Sequence, residues 1–177
     1  MQYTGKYESP LGSMLLAADE TGLTGLWFEG QKYFALYLDK ENREKEMPVF
    51  EQARKWLDIY FSGNKPDFRL PLHFTGSAFQ NEVWEILYQI PYGQTTTYGA
   101  IARQLADKSG PAEMSAQAVG GAVSHNQISI IVPCHRVVGS NGSLTGYAGG
   151  IDKKTALLKM EKAYRDTFFV PARSTAP

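Results

Sequence analysis

Residues 115–138 read Ser-Ala-Gln-Ala-Val-Gly-Gly-Ala-Val-Ser-His-Asn-Gln-Ile-Ser-Ile-Ile-Val-Pro-Cys-His-Arg-Val-Val. The first half is built from small residues: Ala116, Ala118, Gly120, Gly121, Ala122 and Ser124. Ser115 is a suitable N-cap, so the stretch predicts a helix from Ala116 to about His125. Each glycine inside such a helix costs about 1 kcal/mol relative to alanine. What small residues give in return is close approach of the backbone to another surface, either a packed helix or a DNA groove. The second half is an apolar run. It ends in Pro133 and presents Cys134, the only cysteine of the chain, followed by His135 and Arg136.

The reactive form of cysteine is the thiolate, which a nearby cation or helix N-terminus stabilises. His135 and Arg136 are placed to supply that field. Neighbouring residues of a strand point to opposite faces. A direct Cys134–His135 pairing therefore needs a turn at this point, or a bridging water. A histidine acting as base also needs a third group, usually a carboxylate, to orient it. Glu161 is a candidate, and spacing alone does not select it from the other acids.

The chain has 177 residues, 43% of them apolar, enough for one or two small domains with a core. A lone cysteine excludes an intrachain disulfide framework and a multi-cysteine zinc site, and fits a reducing compartment. No apolar stretch approaches membrane-spanning length, and residues 1–20 do not read as a signal peptide. The expected location is the cytoplasm, or the nucleus if the source has one. The net charge is zero, whereas nucleic-acid binders usually carry a basic footprint. Residues 77–177 hold nine basic and seven acidic residues, against nine and eleven in 1–76. From Met114 through His135 there is no Asp, Glu, Lys or Arg. Any DNA contact made there must use backbone amides, helix N-termini and apolar insertion, with a shallow salt dependence.

The fold class expected is α+β: a small N-terminal sheet-plus-helix domain, then a mostly helical C-terminal domain. Gln2 to Glu8 is a strand candidate. Met14–Ala18 and Leu23–Phe28 flank Asp19-Glu20-Thr21-Gly22, a hairpin signal. The charges from Asp39 to Glu46 read as a solvated loop or helix face. Phe50, Ala53, Trp56, Leu57 and Tyr60 have helical spacing between Pro48 and Gly63. Lys65 to Gly76 reads as a linker. Ser77 caps a helix carrying Phe79, Val83, Leu87 and Ile90, closed by Pro91-Tyr92-Gly93. One of Thr95, Thr96 and Thr97 caps the next, which buries Ile101 and Leu105. A connection over Asp107–Glu113, broken at Gly110-Pro111, leads to the small-residue helix. The two helices form a helix-turn-helix candidate, with an ordinary helical pair as the alternative. A frayed tail is expected from about Pro171.

Pro133-Cys134-His135-Arg136-Val137 resembles the active-site signature of the O6-alkylguanine-DNA alkyltransferases, or methylated-DNA–protein-cysteine methyltransferases. The resemblance extends over about residues 77–165. It takes in Thr97-Tyr98-Gly99-Ala100-Ile101-Ala102, Ala118-Val119-Gly120-Gly121-Ala122, Asn126, Thr145-Gly146-Tyr147-Ala148-Gly149-Gly150 and Leu157-Leu158-Lys159-Met160-Glu161, in the family's order. It implies a ribonuclease-H-like scaffold domain over 1–70 and a DNA-binding and alkyl-acceptor domain over 77–170. It also implies a monomer that binds double-stranded DNA through the minor groove, with the small-residue helix, and turns the alkylated nucleotide out of the stack. The groove's degenerate pattern suits a lesion that can occur in any sequence.

The resemblance further implies that Cys134 takes the alkyl group from O6-alkylguanine, or O4-alkylthymine, once per molecule. His135 then takes the thiol proton through a water, Glu161 orients His135, and Asn126 stabilises the turn before Cys134. Tyr98 assists rotation of the nucleotide and hydrogen-bonds the base. Backbone groups near Val137 and Tyr147-Ala148 read the guanine edge, and Arg136, Ala118 and Gly121 belong to the substrate and DNA surface. Lys154 matches a pocket-side lysine, a surface lysine being the alternative. Gln117 stands where many relatives carry an arginine that fills the gap left by the base. The connection over Lys108–Met114 is longer than in close relatives. Ala148 replaces a frequent serine, and Gly149 leaves room for alkyl groups larger than methyl. No cofactor or metal is implied.

Three other readings are weighed. A non-catalytic lesion-binding relative would lack the thiol. A plain helix-turn-helix regulator would not need it. A cysteine hydrolase would turn over and draw its base from a distant segment, yet His73 and His125 sit in no convincing motif.

Overall fold

Short apolar runs separated by turns generate a meander in the first thirty positions. β1 (Gln2–Ser9) pairs antiparallel with β2 (Gly12–Ala18), which pairs antiparallel with β3 (Leu23–Phe28). The Asp19–Gly22 turn joins the last two, its Asp19 carboxylate accepting from the amides of Thr21 at 2.9 Å and Gly22 at 3.1 Å. The computed structural model describes residues 1–109 and 115–171. The expected break at Gly110-Pro111 and the tail after Pro171 lie outside the described residues.

The sheet order is β3-β2-β1-β4. β4 (Asn42–Glu44) was not anticipated: it lies in the charge cluster read as a loop or helix face and pairs in parallel with β1. All three of its side chains are exposed, so no apolar alternation announces it. Such charged residues suit an edge, where they oppose further strand addition. α1 (Pro48–Phe61) starts at its proline and buries Val49, Phe50, Ala53, Leu57 and Tyr60. Tyr7 of β1 donates to Asp58 of α1 at 2.7 Å.

The chain divides into two compact units, Met1–Gly76 with Gln127–Ser129, and Ser77–Asn126 with Ile130–Pro177. β3 is buried at all six positions, and both its edges are paired. Leu23 bridges Leu72, and Leu26 bridges Ile128. The segment read as a linker therefore packs along β3 in its final part, with Leu70 buried. The Gln127 side chain, fully buried in the same unit, donates to the Thr24 carbonyl and accepts from the Thr75 amide at 3.0 Å.

In the second unit, α2 (Ala78–Tyr88) begins in a full capping box between Ser77 and Gln80. α3 (Tyr98–Ser109) is capped by Thr97, whose hydroxyl accepts from the Ala100 amide at 3.1 Å, and it buries Ile101 and Leu105. α4 (Ala116–Ser124) is capped by Ser115, which accepts from the Ala118 amide at 3.0 Å. Trp84 of α2 fastens α4 by donating to the Ala122 carbonyl at 2.9 Å. α5 (Ile151–Met160) ends at Glu161. The unit is not wholly helical: β5 (Thr96–Thr97) pairs in parallel with β6 (Val137–Val138). Two residues per strand leave no periodicity to read. Among the described residues, no helix is long and apolar enough to cross a membrane.

Candidate functional site

The short parallel pair sets the site. Register Thr96↔Val137 and Thr97↔Val138 brings the start of α3, hence Tyr98, alongside the segment that follows Cys134. That segment is prepared by a tight backbone. The Asn126 side chain donates to the Val132 carbonyl at 2.8 Å. Pro133, at φ −84° and ψ 67°, is the centre of an inverse γ-turn closed by the Cys134 amide on the Val132 carbonyl at 2.9 Å. Cys134–Arg136 then form one 3-10 turn. The segment is therefore not purely extended at this point, and the opposite-face geometry of a strand does not apply to Cys134 and His135.

The thiol and the four charged or basic side chains around it are buried. Cys134 is 5% exposed, His135 and Lys154 0%, Glu161 4% and Arg136 6%. Glu161 receives three donors: His135 Nε2 at 2.6 Å on one oxygen, and Arg136 Nε at 2.7 Å with the Gly93 amide at 3.1 Å on the other. Burial pushes its carboxyl up, but His135 and Arg136 outweigh that and hold it well below the usual range. An ionised carboxylate only accepts, so neutral His135 carries its proton on Nε2 and its basic nitrogen is Nδ1. Burial holds the imidazole pKa below its ordinary value, against the pull of Glu161. His135 also meets Tyr147 edge to face, ring centroids 6.4 Å apart.

Lys154 is fully buried, so the surface alternative for this residue is corrected. Its Nζ donates to the carbonyls of Val137 at 2.5 Å and Thr145 at 3.0 Å. Desolvation lowers its pKa to about 8, opposed by the charge of Cys134. The Cys134 thiol is pushed up by burial, while a hydrogen bond from Asn126, the Lys154 charge and the amides of Cys134 and His135 stabilise its thiolate. The Tyr98 hydroxyl donates to the same Thr145 carbonyl at 3.0 Å, and burial keeps it protonated far above neutral pH. Gly146 is required there. It sits at φ +93°, and a Cβ would lie 2.2 Å from the Tyr98 hydroxyl oxygen.

The expected site residues thus divide. Cys134, His135, Glu161, Asn126, Lys154, Tyr98, Val137 and Tyr147 are drawn together. Arg136 is turned inward: it donates to Glu161 and, through Nη1 at 2.8 Å, to the Ile90 carbonyl, with its guanidinium over the Tyr92 ring. Gln117, Ala118 and Gly121 lie exposed on α4 with Ser115 and Ala116. Ala148 is half-buried, one residue beyond Tyr147. Gly93, Tyr92 and Thr145 were missed. Gly93 and Thr145 act through backbone atoms, which leave no side-chain signal, and Tyr92 was read only as part of a helix stop.

Burial keeps the resting Cys134 group a thiol, and the groups around it stabilise the thiolate once the proton leaves. A thiol is placed beside a buried ammonium, next to an imidazole whose tautomer is fixed by a carboxylate. The comparisons agree with this chemistry. Residues 2–74 match the family described as 6-O-methylguanine DNA methyltransferase, ribonuclease-like domain, and residues 78–163 match its DNA binding domain. A methylated-DNA–protein-cysteine methyltransferase of Methanosarcina acetivorans is 44% identical over 161 residues, covering 90% of this chain and 97% of that protein. One from Haemophilus influenzae is 38% identical over 161 residues, covering 90% and 86%. The Mycobacterium tuberculosis OGT solved in complex with DNA superposes with a TM-score of 0.78 at 41% identity, covering 92% of each chain. With its single thiol set in that buried cluster, the chain belongs to the methylated-DNA–protein-cysteine methyltransferase family.

Proposed function

We propose that this protein repairs DNA directly, by moving the alkyl group of O6-alkylguanine, and of O4-alkylthymine, onto Cys134. The observation that carries the reading is the lone thiol held 5% exposed beside Lys154 and the His135–Glu161 pair. The Cys134 proton passes through a water to His135, whose tautomer Glu161 sets. The thiolate sulfur attacks the alkyl carbon, the C–S bond forms, and the bond to O6 breaks. The electron pair leaves on the guanine oxygen, and the base takes up a proton. Tyr98, kept protonated by burial, donates to the departing base by turning its hydroxyl from the Thr145 carbonyl that it bonds in the free protein. The product thioether is not hydrolysed at useful rates, so each molecule acts once.

α3 and α4 serve as a helix-turn-helix, with α4 as the element that enters the minor groove. Its exposed Ala118 and Gly121 let the backbone approach closely, and Gln117 occupies the space of the rotated nucleotide. Backbone near Val137 and Tyr147-Ala148 contacts the guanine edge. Arg136 acts by holding Glu161 rather than by touching DNA. Residues 77–170 form the DNA-binding and alkyl-acceptor domain, and 1–70 a ribonuclease-H-like scaffold. The protein works as a monomer, in the cytoplasm or in a nucleus.

Intact-protein mass after mixing with excess duplex DNA holding one O6-methylguanine tests this. The expected result is a gain of one methyl, mapped to Cys134, that stops at one per protein. Cys134→Ala gains none and leaves the DNA unrepaired. Repair without a mass change would sink the reading in favour of turnover chemistry. Unrepaired DNA with bound protein would indicate a lesion-binding protein.

A further inference from the structure

Lys154 joins three segments that are separate in the sequence. It rises from α5, and its Nζ is seated on the Val137 and Thr145 carbonyls, the second of which also accepts from Tyr98. These seats are backbone atoms, so their positions depend on what holds each segment. Each segment contributes one residue to a single apolar cluster. Val138 follows Val137, Leu144 precedes Thr145, and Leu158 lies one helical turn from Lys154 on the same face. The cluster is completed by Ala163 and Phe168, from the chain that follows α5.

That following chain also supplies backbone. The Leu144 amide donates to the Phe169 carbonyl at 3.0 Å, and the Phe169 amide donates to the Gly142 carbonyl at 3.0 Å. Gly142, at φ +94°, passes so close that a Cβ would lie 2.4 Å from the Thr167 carbonyl oxygen. The other end is fixed directly after Glu161. Lys162 turns the chain at φ +59°, and the Ala163 amide returns to the Leu158 carbonyl at 2.8 Å.

We propose that residues 163–169 are a strap that positions the alkyl-acceptor site, Phe168 and the Phe169 backbone holding the carbonyls that seat Lys154 and Tyr98 around Cys134. This rests on the alkyl-transfer reading above. The bonds and apolar contacts of the strap run to Gly142, Leu144, Val138 and Leu158, next to the seats of Lys154 and Tyr98, so its loss is expected to act on chemistry rather than on DNA affinity. With its seats displaced, the ammonium no longer opposes the thiolate, and transfer requires a higher pH.

The test is single-turnover methyl transfer from O6-methylguanine duplex to the full chain, with rate and DNA half-saturation followed against pH. Phe168→Ala is expected to slow transfer about 10- to 100-fold. Half-saturation should stay within about twofold, and the rising limb of the pH–rate profile should move up. Phe168→Leu restores most of the rate. Gly142→Ala leaves the aromatic cluster intact, pushes the strap from its other side, and shifts the profile the same way. Wild-type protein that takes no methyl sinks the alkyl-transfer reading itself. Wild-type transfer with both variants unchanged sinks the strap alone. So does a rate loss whose pH profile is unshifted, or one that only follows loss of folded protein.

Discussion

Helix α4 and the Cys134 cluster belong to one unit and follow opposite electrostatic plans. The exposed residues of α4, Ser115 to Ala118 with Gly121, carry no charge. The cluster holds a carboxylate, a guanidinium, an ammonium, an imidazole and a thiol, none more than 6% exposed. A charge works hardest where water is absent, because the same separation gives a far larger interaction at low dielectric. An uncharged face of small residues, if it enters a groove as proposed, contributes close approach rather than phosphate attraction. The difference explains how a chain of zero net charge can still be a DNA-repair protein.

The strongest way to break this contrast is Glu161→Gln. It removes the shared partner of His135 and Arg136 and leaves a buried guanidinium unneutralised. Loss of one member of a buried pair costs about 3–5 kcal/mol. Denaturant unfolding is expected to show that loss, and single-turnover transfer should slow, while DNA affinity changes little. An affinity change as large as the rate change would mean that the two regions are not separable.

Acid reaches the same groups. His135 has a folded pKa below its ordinary 6.5, so the unfolded chain binds its proton first and stability falls as pH drops through 6.5. Glu161 is held below its ordinary 4.5, so stability present above that value is lost further as pH falls below it. Unfolding midpoints measured against pH should fall in two stages, and Glu161→Gln should show a shallower lower one, with the share of Asp19 remaining. A midpoint flat between neutrality and pH 4.5 would contradict the buried neutral imidazole.

The exposed face of α4, proposed to meet DNA, gives smaller effects with opposite signs. A Cβ at Gly121 meets nothing within 4 Å. Gly121→Ala should therefore raise stability by about 0.5–1 kcal/mol through helix propensity, while the added methyl holds DNA away and lowers affinity. Stability and affinity that rise together would overturn the role given to α4. Smallest is Gln117→Arg, which adds one cation to an uncharged face. Duplex affinity should rise a few-fold and the salt slope should steepen by about one unit, with the transfer rate at saturation unchanged.

Local chemistry was legible in the sequence. Ser77 with Gln80, Ser115, Pro48 and the Asp19–Gly22 turn set element ends through contacts within a few residues. The apolar runs on either side of the Asp19–Gly22 turn announced the hairpin of β2 and β3. What escaped depends on partners remote in the chain. β4 has no buried residue, β5 and β6 are two residues each, and the covering of β3 by Leu72 and Ile128 is long-range. In the site, Cys134, His135 and Glu161 could be named, and Arg136 could be named but not aimed.

The sequence by itself determined the lone thiol, the small-residue helix and the absence of charge on it, because those follow from which residues are present and how they are spaced. The tertiary structure alone decided that Lys154 is buried, that Arg136 faces Glu161 and that Thr145 seats both Lys154 and Tyr98. A buried ammonium needs acceptors, and here they are main-chain carbonyls. Every residue has one, so only the fold can choose which of them arrive.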